Sequence, residues 1–147
     1  MDEQSGLAPR ALTSAMIQQR SLVPNDAAAI ERLWRSLDLA RPSLAEIRAA
    51  ICEFYPMTHD QLRSTSRATH FVFPRQMFCW FAYRYARVSM AQICPWVGYI
   101  DHTTVLHGIR RIEQWSVTRP LVRDDIDVLR LRVSEKVLAR GRRFGRC

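Results

Sequence analysis

Apolar residues recur at helical spacing in a succession of segments along the chain, and the breaks between them fall at prolines, glycines and capping residues. Residues 1–23 carry Gly6, Pro9 and scattered polar groups without a firm period, so they read as an arm. Asn25 or Asp26 can cap a helix over 26–39 that places Ile30, Leu33, Trp34 and Leu37 on one face. After Arg41-Pro42, Ser43 with Glu46 forms a capping-box pattern, and a helix to Phe54 would bury Leu44, Ile47, Ile51 and Phe54. Pro56 ends it, and Thr58 with Gln61 starts a short helix around Leu62. A polar basic loop runs from Arg63 to His70. Pro74 suits the first position of a helix, and Met77 to Ala86 is apolar nearly all round, which predicts a central helix. A last helix is expected from Asp124 and Asp125, with Ile126, Leu129, Val133 and Val137 inward and Arg130 and Arg132 toward solvent. The pattern predicts an all-α, small helical bundle.

Between the central and last helices lies the segment that organises the rest. Ser89 with Gln92 starts a short helix, Gly98 can take the left-handed conformation that ends it, and Asp101 can cap the next. Two short helices about a glycine turn match a helix-turn-helix, whose second helix lies in the DNA major groove. At about 100° per residue, Val105, Ile109 and Ile112 share the inner face of a helix from Asp101 to Trp115. Thr103, His107, Arg110 and Gln114 fall opposite, with Thr104 and Arg111 beside them. These groups donate or accept hydrogen bonds at base edges, and a threonine methyl can meet a thymine methyl. An ordinary solvated face is the alternative.

Asp101-His102-Thr103-Thr104-Val105-Leu106-His107 resembles the signature of the bacterial chromosomal replication initiator (DnaA), in its C-terminal DNA-binding domain. Ile112-Glu113, Pro74-Arg75-Gln76-Met77, Ile51-Cys52-Glu53-Phe54-Tyr55 and Asp60-Gln61-Leu62 resemble flanking parts of that domain in the right order. The likeness covers 42–137, about two thirds of the chain. It implies a Trp-repressor-like helix-turn-helix domain over 42–138; outside it the residues themselves read as an arm over 1–41 with the helix over 26–39, and as a basic tail over 139–147. It also implies base contacts from Asp101, His102, Thr103 and Thr104, and from Arg67 in a loop that reaches the minor groove. Contacts at or near the DNA backbone would come from Arg63, Arg75, Gln76, Ser89 and Met90, from Tyr83, Arg84 and Arg87, and from His107, Arg110 and Arg111. The family usually has Gly-Gly-Arg before its Asp-His-Thr-Thr run; this chain has Gly98-Tyr99-Ile100, which removes a charge and a glycine from the turn.

Composition sharpens this picture. The formal net charge is +8 and Lys136 is the only lysine, so the basic surface is made of arginine and favours an anionic partner. No apolar run is long enough to span a bilayer, and the N-terminus lacks a signal-peptide pattern, so a cytoplasmic, nucleoid-associated protein is expected. Cys52, Cys79, Cys94 and Cys147 form no C-x-x-C pair, and His102 and His107 have no cysteine partners at finger spacing, so no metal or other cofactor is expected. The chain has no G-x-x-x-x-G-K-[ST] phosphate loop and no assembled nucleophile and base, which argues against an enzyme. The expected partner is double-stranded DNA, with competition against the full-length initiator for its boxes; no residue pattern specifies an oligomeric state. Two other classes stay open on the residues. One is a protein-interaction module using the Ile30/Leu33/Trp34 stripe; the other is a single-stranded nucleic-acid binder using Phe71, Phe73 and Trp96 if exposed.

Overall fold

The structure, a computed structural model, describes residues 41–99 and 101–145, together with Arg32 and Arg35 as isolated helical positions. The expected arm and the face of the helix over 26–39 lie outside the described residues. Every regular element among the described residues is helical: α1 (Leu44–Phe54), α2 (His59–Arg63), α3 (Thr69–Phe81), a π-helical turn (Ala82–Ala86), α4 (Met90–Val97), α5 (His102–Thr118) and α6 (Pro120–Gly145). Three of the starts are capping boxes, at Ser43/Glu46, Thr58/Gln61 and Ser89/Gln92. Each satisfies two N–H groups that the first turn of a helix leaves without a partner.

The centre of the bundle is α3. Every residue from Phe73 to Ala82 is buried, with α5 on one side and α1 on another, while α6 closes the bundle against α1 and α5. Phe73, Phe78, Phe81, Ile47, Ile51, Ile112 and Leu129 are among its largest fully buried side chains, each worth about 1.5–3 kcal/mol of apolar burial.

Helix α3 begins at Thr69, so Pro74 sits inside it rather than at its first position. There the ring removes a hydrogen bond and crowds the preceding turn, at a cost of about 3 kcal/mol. Burial of Phe73 offsets much of this. Its ring meets the edge of Tyr55 at 5.8 Å and lies 6.0 Å from Trp115, so the turn before the proline is anchored to α1 and α5. The far end of the helix also departs from the expectation. It widens into the π turn, which Arg87 closes in a left-handed conformation (φ 58°), its N–H donating to the Ala82 carbonyl at 3.0 Å. That turn keeps Tyr85 and Ala86 in the core while leaving Tyr83 and Arg84 exposed.

The last helix starts at Pro120, a favoured first residue, and not at Asp124/Asp125. Asp125 is buried and accepts from the Tyr55 hydroxyl at 2.7 Å, so it joins α6 to α1 instead of serving the helix start. Arg130 and Arg132 are half-buried, not solvated as expected: the former donates to the Tyr85 hydroxyl, and the latter lies 4.0 Å from Glu53. Lys136 pairs with Glu53 at 2.9 Å and Arg140 with Glu46 at 3.3 Å, and the helix continues to Gly145. Such partly exposed pairs contribute little each; their use is to set how α6 lies along α1.

Cys52, Cys79 and Cys94 are free thiols. Burial pushes the Cys79 thiol far above its usual range, and burial also raises that of half-buried Cys52. Because the thiolate is the reactive form, Cys79 should resist iodoacetamide in the native protein and react only on unfolding, while Cys52 reacts slowly. Peptide mass mapping after timed alkylation checks this; equal native rates at the two positions would mean that α3 opens readily.

Candidate nucleic-acid interface

The turn between α4 and α5 is built around two demands on Gly98. Its φ of 69° is a left-handed conformation, and its N–H donates to the Cys94 carbonyl to close α4. The Tyr99 N–H reaches the same carbonyl at 3.1 Å. A Cβ placed on Gly98 would also sit 2.0 Å from the carbonyl oxygen of Arg63, at the end of α2. Only glycine satisfies both the angle and the contact. The turn is therefore pressed directly against the start of the basic loop. Tyr99 follows, half-buried against the core.

Helix α5 is capped by Asp101, whose Oδ1 accepts the Thr103 N–H at 3.0 Å. Bonds from the Thr103 backbone and side chain hold the Asp101 carboxyl below its ordinary value, with His102 adding a smaller effect. The inner face buries Val105, Gly108, Ile109 and Ile112. At Gly108 a Cβ would lie 3.1 Å from Cγ of Gln76, so the missing side chain is what lets α5 lie close on α3. The outer face leaves Asp101, His102, Thr103, Thr104, His107, Arg110, Arg111 and Gln114 exposed. Toward the helix end, the guanidinium groups of Arg111 and Arg119 lie over the Trp115 ring, at 5.4 Å and 4.2 Å from its centroid.

The structure separates the basic residues of the expected interface. Arg63 is exposed at the end of α2 rather than on the expected loop, Arg67 is exposed on the loop that follows, and Arg84 and Arg87 are exposed around the π turn, with Arg84 over the rings of Trp80 and Tyr85. Tyr83 is exposed beside Arg84, Ser89 is the exposed cap of α4, and Met90 is half-buried against the core. Arg75 and Gln76 correct the expectation of phosphate contacts. Gln76 is buried beneath Gly108. Arg75 is 2% exposed, and its guanidinium donates to the carbonyls of Leu62 (2.8 Å) and Ser66 (2.6 Å) and to Ser64 Oγ (2.7 Å). The signal for this was present in the spacing: an arginine next to a wholly apolar helix face, facing a loop rich in serine. Of the aromatics that a single-strand platform would use, Phe73 is buried, Phe71 is half-buried, and Trp96 stacks on Phe78 under the Arg48 guanidinium.

Residues 44–112 match the family model described as the bacterial DnaA protein helix-turn-helix. The chain is similar to the chromosomal replication initiator protein DnaA of Wolbachia sp. subsp. Brugia malayi, 33% identical over 60% of this chain and 19% of the relative. The same protein of Caulobacter sp. (strain K31) is 34% identical over 60% of this chain and 18% of the relative. That of Latilactobacillus sakei is 29% identical over 84% of this chain and 28% of the relative. The matched part of the chain thus spans 18–28% of the length of these relatives. No solved structure matches it. Over residues 44–112 the chain is similar to the DnaA helix-turn-helix, its described residues form an all-α fold, and the family it resembles there implies DNA binding. No helix among the described residues is long and apolar enough to cross a membrane.

Two tests follow from this geometry. Gly98→Ala should destabilise the fold by at least about 1–3 kcal/mol, since it forces a left-handed alanine and a collision with the Arg63 carbonyl. A urea melt within error of the parent would refute the close approach. Acid titration offers the second. A depressed carboxyl contributes stability that is present above its unfolded value and lost as pH falls through the lower folded value. The Thr103 amide resonance should therefore titrate with its midpoint below pH 3.8, the ordinary Asp value. A midpoint above that value would mean that the cap bond is not formed.

Proposed function

We propose that this chain, through its DnaA-type helix-turn-helix, binds double-stranded DNA in a sequence-specific way at sites resembling the initiator's boxes, without ATPase activity. On this reading it regulates replication or transcription in the cytoplasm, at the nucleoid. One observation carries the reading. The first turn of α5 exposes Asp101, His102, Thr103 and Thr104 together, while the back of the same helix is locked onto α3 through Val105, Gly108, Ile109 and Ile112. A rigid helix with an acceptor, an imidazole and two methyl-bearing hydroxyls at its N-terminal end is what base reading in the major groove requires.

The roles follow from the chemistry. Asp101, ionised and tethered to the Thr103 N–H, accepts from a cytosine amino group. His102 bonds a base edge, and the threonine methyls contact thymine methyls. Arg67 enters the adjacent minor groove, where narrow A·T-rich stretches attract a guanidinium. Arg63, Arg84, Arg87, Arg110 and Arg111, with Tyr83, Ser89, Met90 and His107 nearby, meet or flank the sugar-phosphate backbone. These contacts set register and orientation and carry no sequence information. Because it would recognise the same boxes, a molecule of this chain on a box would compete there with the full-length initiator.

A titration comparing a box-containing duplex, a scrambled duplex and a single strand tests this reading. Affinity for duplex should fall steeply with salt, with a log–log slope of about −0.9 per phosphate neutralised. Thr103→Ala and His102→Ala should each cost roughly 1–3 kcal/mol on the box alone, whereas Arg110→Ala should weaken box and scrambled duplex alike. Equal losses on both duplexes for all three variants, or a slope near zero, would refute the assignment.

A further inference from the structure

Arg75 is the most fully enclosed cation described in the chain, and it lies on α3, the central helix, rather than on the loop that it serves. Its fork ties the last turn of α2 to two points of the loop between α2 and α3. Nε donates to Leu62 O at 2.8 Å, Nη1 to Ser66 O at 2.6 Å, and Nη2 to Ser64 Oγ at 2.7 Å, with Gln61 O at 3.5 Å. The loop reinforces itself through the same serines: Ser66 N–H donates to Ser64 Oγ at 3.4 Å, and Ala68 N–H to Ser66 Oγ at 3.2 Å. Arg67 therefore sits between two residues whose backbones are held, while its own side chain is exposed. At the other end of the segment the Arg63 carbonyl lies against Gly98, at the turn of the helix-turn-helix. Tyr99, which stands where the resembling family has a glycine, is half-buried with its phenol near the Arg75 guanidinium.

We propose that Arg75 is a positioning residue for DNA recognition: its guanidinium sets the 61–66 segment so that Arg67 is presented in fixed register with the first turn of α5. This rests on the proposed role of Arg67 in the minor groove, and goes beyond it by assigning the residue that makes that role possible. A five-donor planar fork suits the task, because it can hold several loop acceptors at once, which an ammonium group cannot reproduce. A loop ordered before DNA arrives does not lose affinity to the ordering of a mobile segment. Gly98 links the same segment to the reading helix, so the minor-groove and major-groove elements move as one unit.

The test is a double-mutant cycle with Arg75→Lys and Arg67→Ala, on two box duplexes that differ only in an A·T-rich or G·C-rich flank. Arg67→Ala should lower affinity roughly tenfold on the A·T flank. Arg75→Lys should cost most of the same factor there, yet add less than about twofold once Arg67 is gone. The loss caused by Thr103→Ala should be the same with or without Arg75→Lys. Multiplying losses for the Arg75 and Arg67 changes would overturn the proposal. Ser64→Ala, which removes one of the fork's acceptors from a half-buried loop, supplies the same comparison should Arg75→Lys fail to fold. Amide hydrogen exchange of the free protein gives a readout independent of DNA. Either variant should speed exchange at Ser66 and Ala68, whose N–H groups are bonded within the loop, while leaving Val105 to Ile112 protected. Unchanged exchange at the loop would refute the positioning role, whereas faster exchange without any preference for box DNA would refute only the proposed function.

Discussion

Everything on the exposed face of α5 depends on how closely α5 lies on α3. The contact is set at Gly108, where a side chain would come within 3.1 Å of Gln76 Cγ, and it is extended by Val105, Ile109 and Ile112 on the buried stripe. With the two helices in that contact, Trp115 reaches Phe73 and the first turn of α3 is anchored despite Pro74. The same approach pushes Gln76 into the interior. The outer face of α5 is thereby fixed by what lies beneath it, not by its own exposed residues.

Much of this was legible in the chain. The three capping boxes, the glycine at the end of α4 and the aspartate at the start of α5 are local patterns whose partners lie within a few residues, and each stands where its pattern put it. The inner stripe of α5 was legible for the same reason. What escaped the pattern were features decided by long-range partners. Pro74 reads as a helix start, but Tyr55 and Trp115, distant in sequence, hold the turn before it. Asp125 reads as a helix-start acid, yet Tyr55 makes it an interior acceptor. The left-handed Arg87 has no marker at all, since arginine is not a residue that announces positive φ.

Arginine is the residue type for which sequence and structure diverge most. A net charge of +8 suggests a uniformly adhesive basic surface. The fold divides it. Arg75 is internal and satisfied by loop carbonyls, while Arg130, Arg132 and Arg140 lie along α6, where they meet Tyr85, Glu53 and Glu46. Arg48, Arg111 and Arg119 lie over tryptophan rings. Those exposed near the turn and the loop, Arg63 and Arg67, are placed by backbone contacts that other residues supply. Charge therefore reports the class of partner, and packing decides which charges can reach it.

The presence of Asp101 on this face is the remaining problem for the proposed function, because a carboxylate facing DNA repels phosphate. Its setting resolves the conflict. An exposed aspartate is ionised throughout the neutral range in any case, and the Thr103 bonds and the positive end of the α5 dipole favour that charged form and fix its place. A fixed negative acceptor gains only where a base offers a donor, and cytosine does so in the major groove through its amino group. Against any other base, or against backbone in a misplaced register, the same charge is unpaired and repulsive. On the proposed reading it lowers general affinity, which the surrounding arginines supply in excess, and converts part of that excess into discrimination. The cap and the reading contact would then be one device, since the bond that starts the helix also aims the carboxylate.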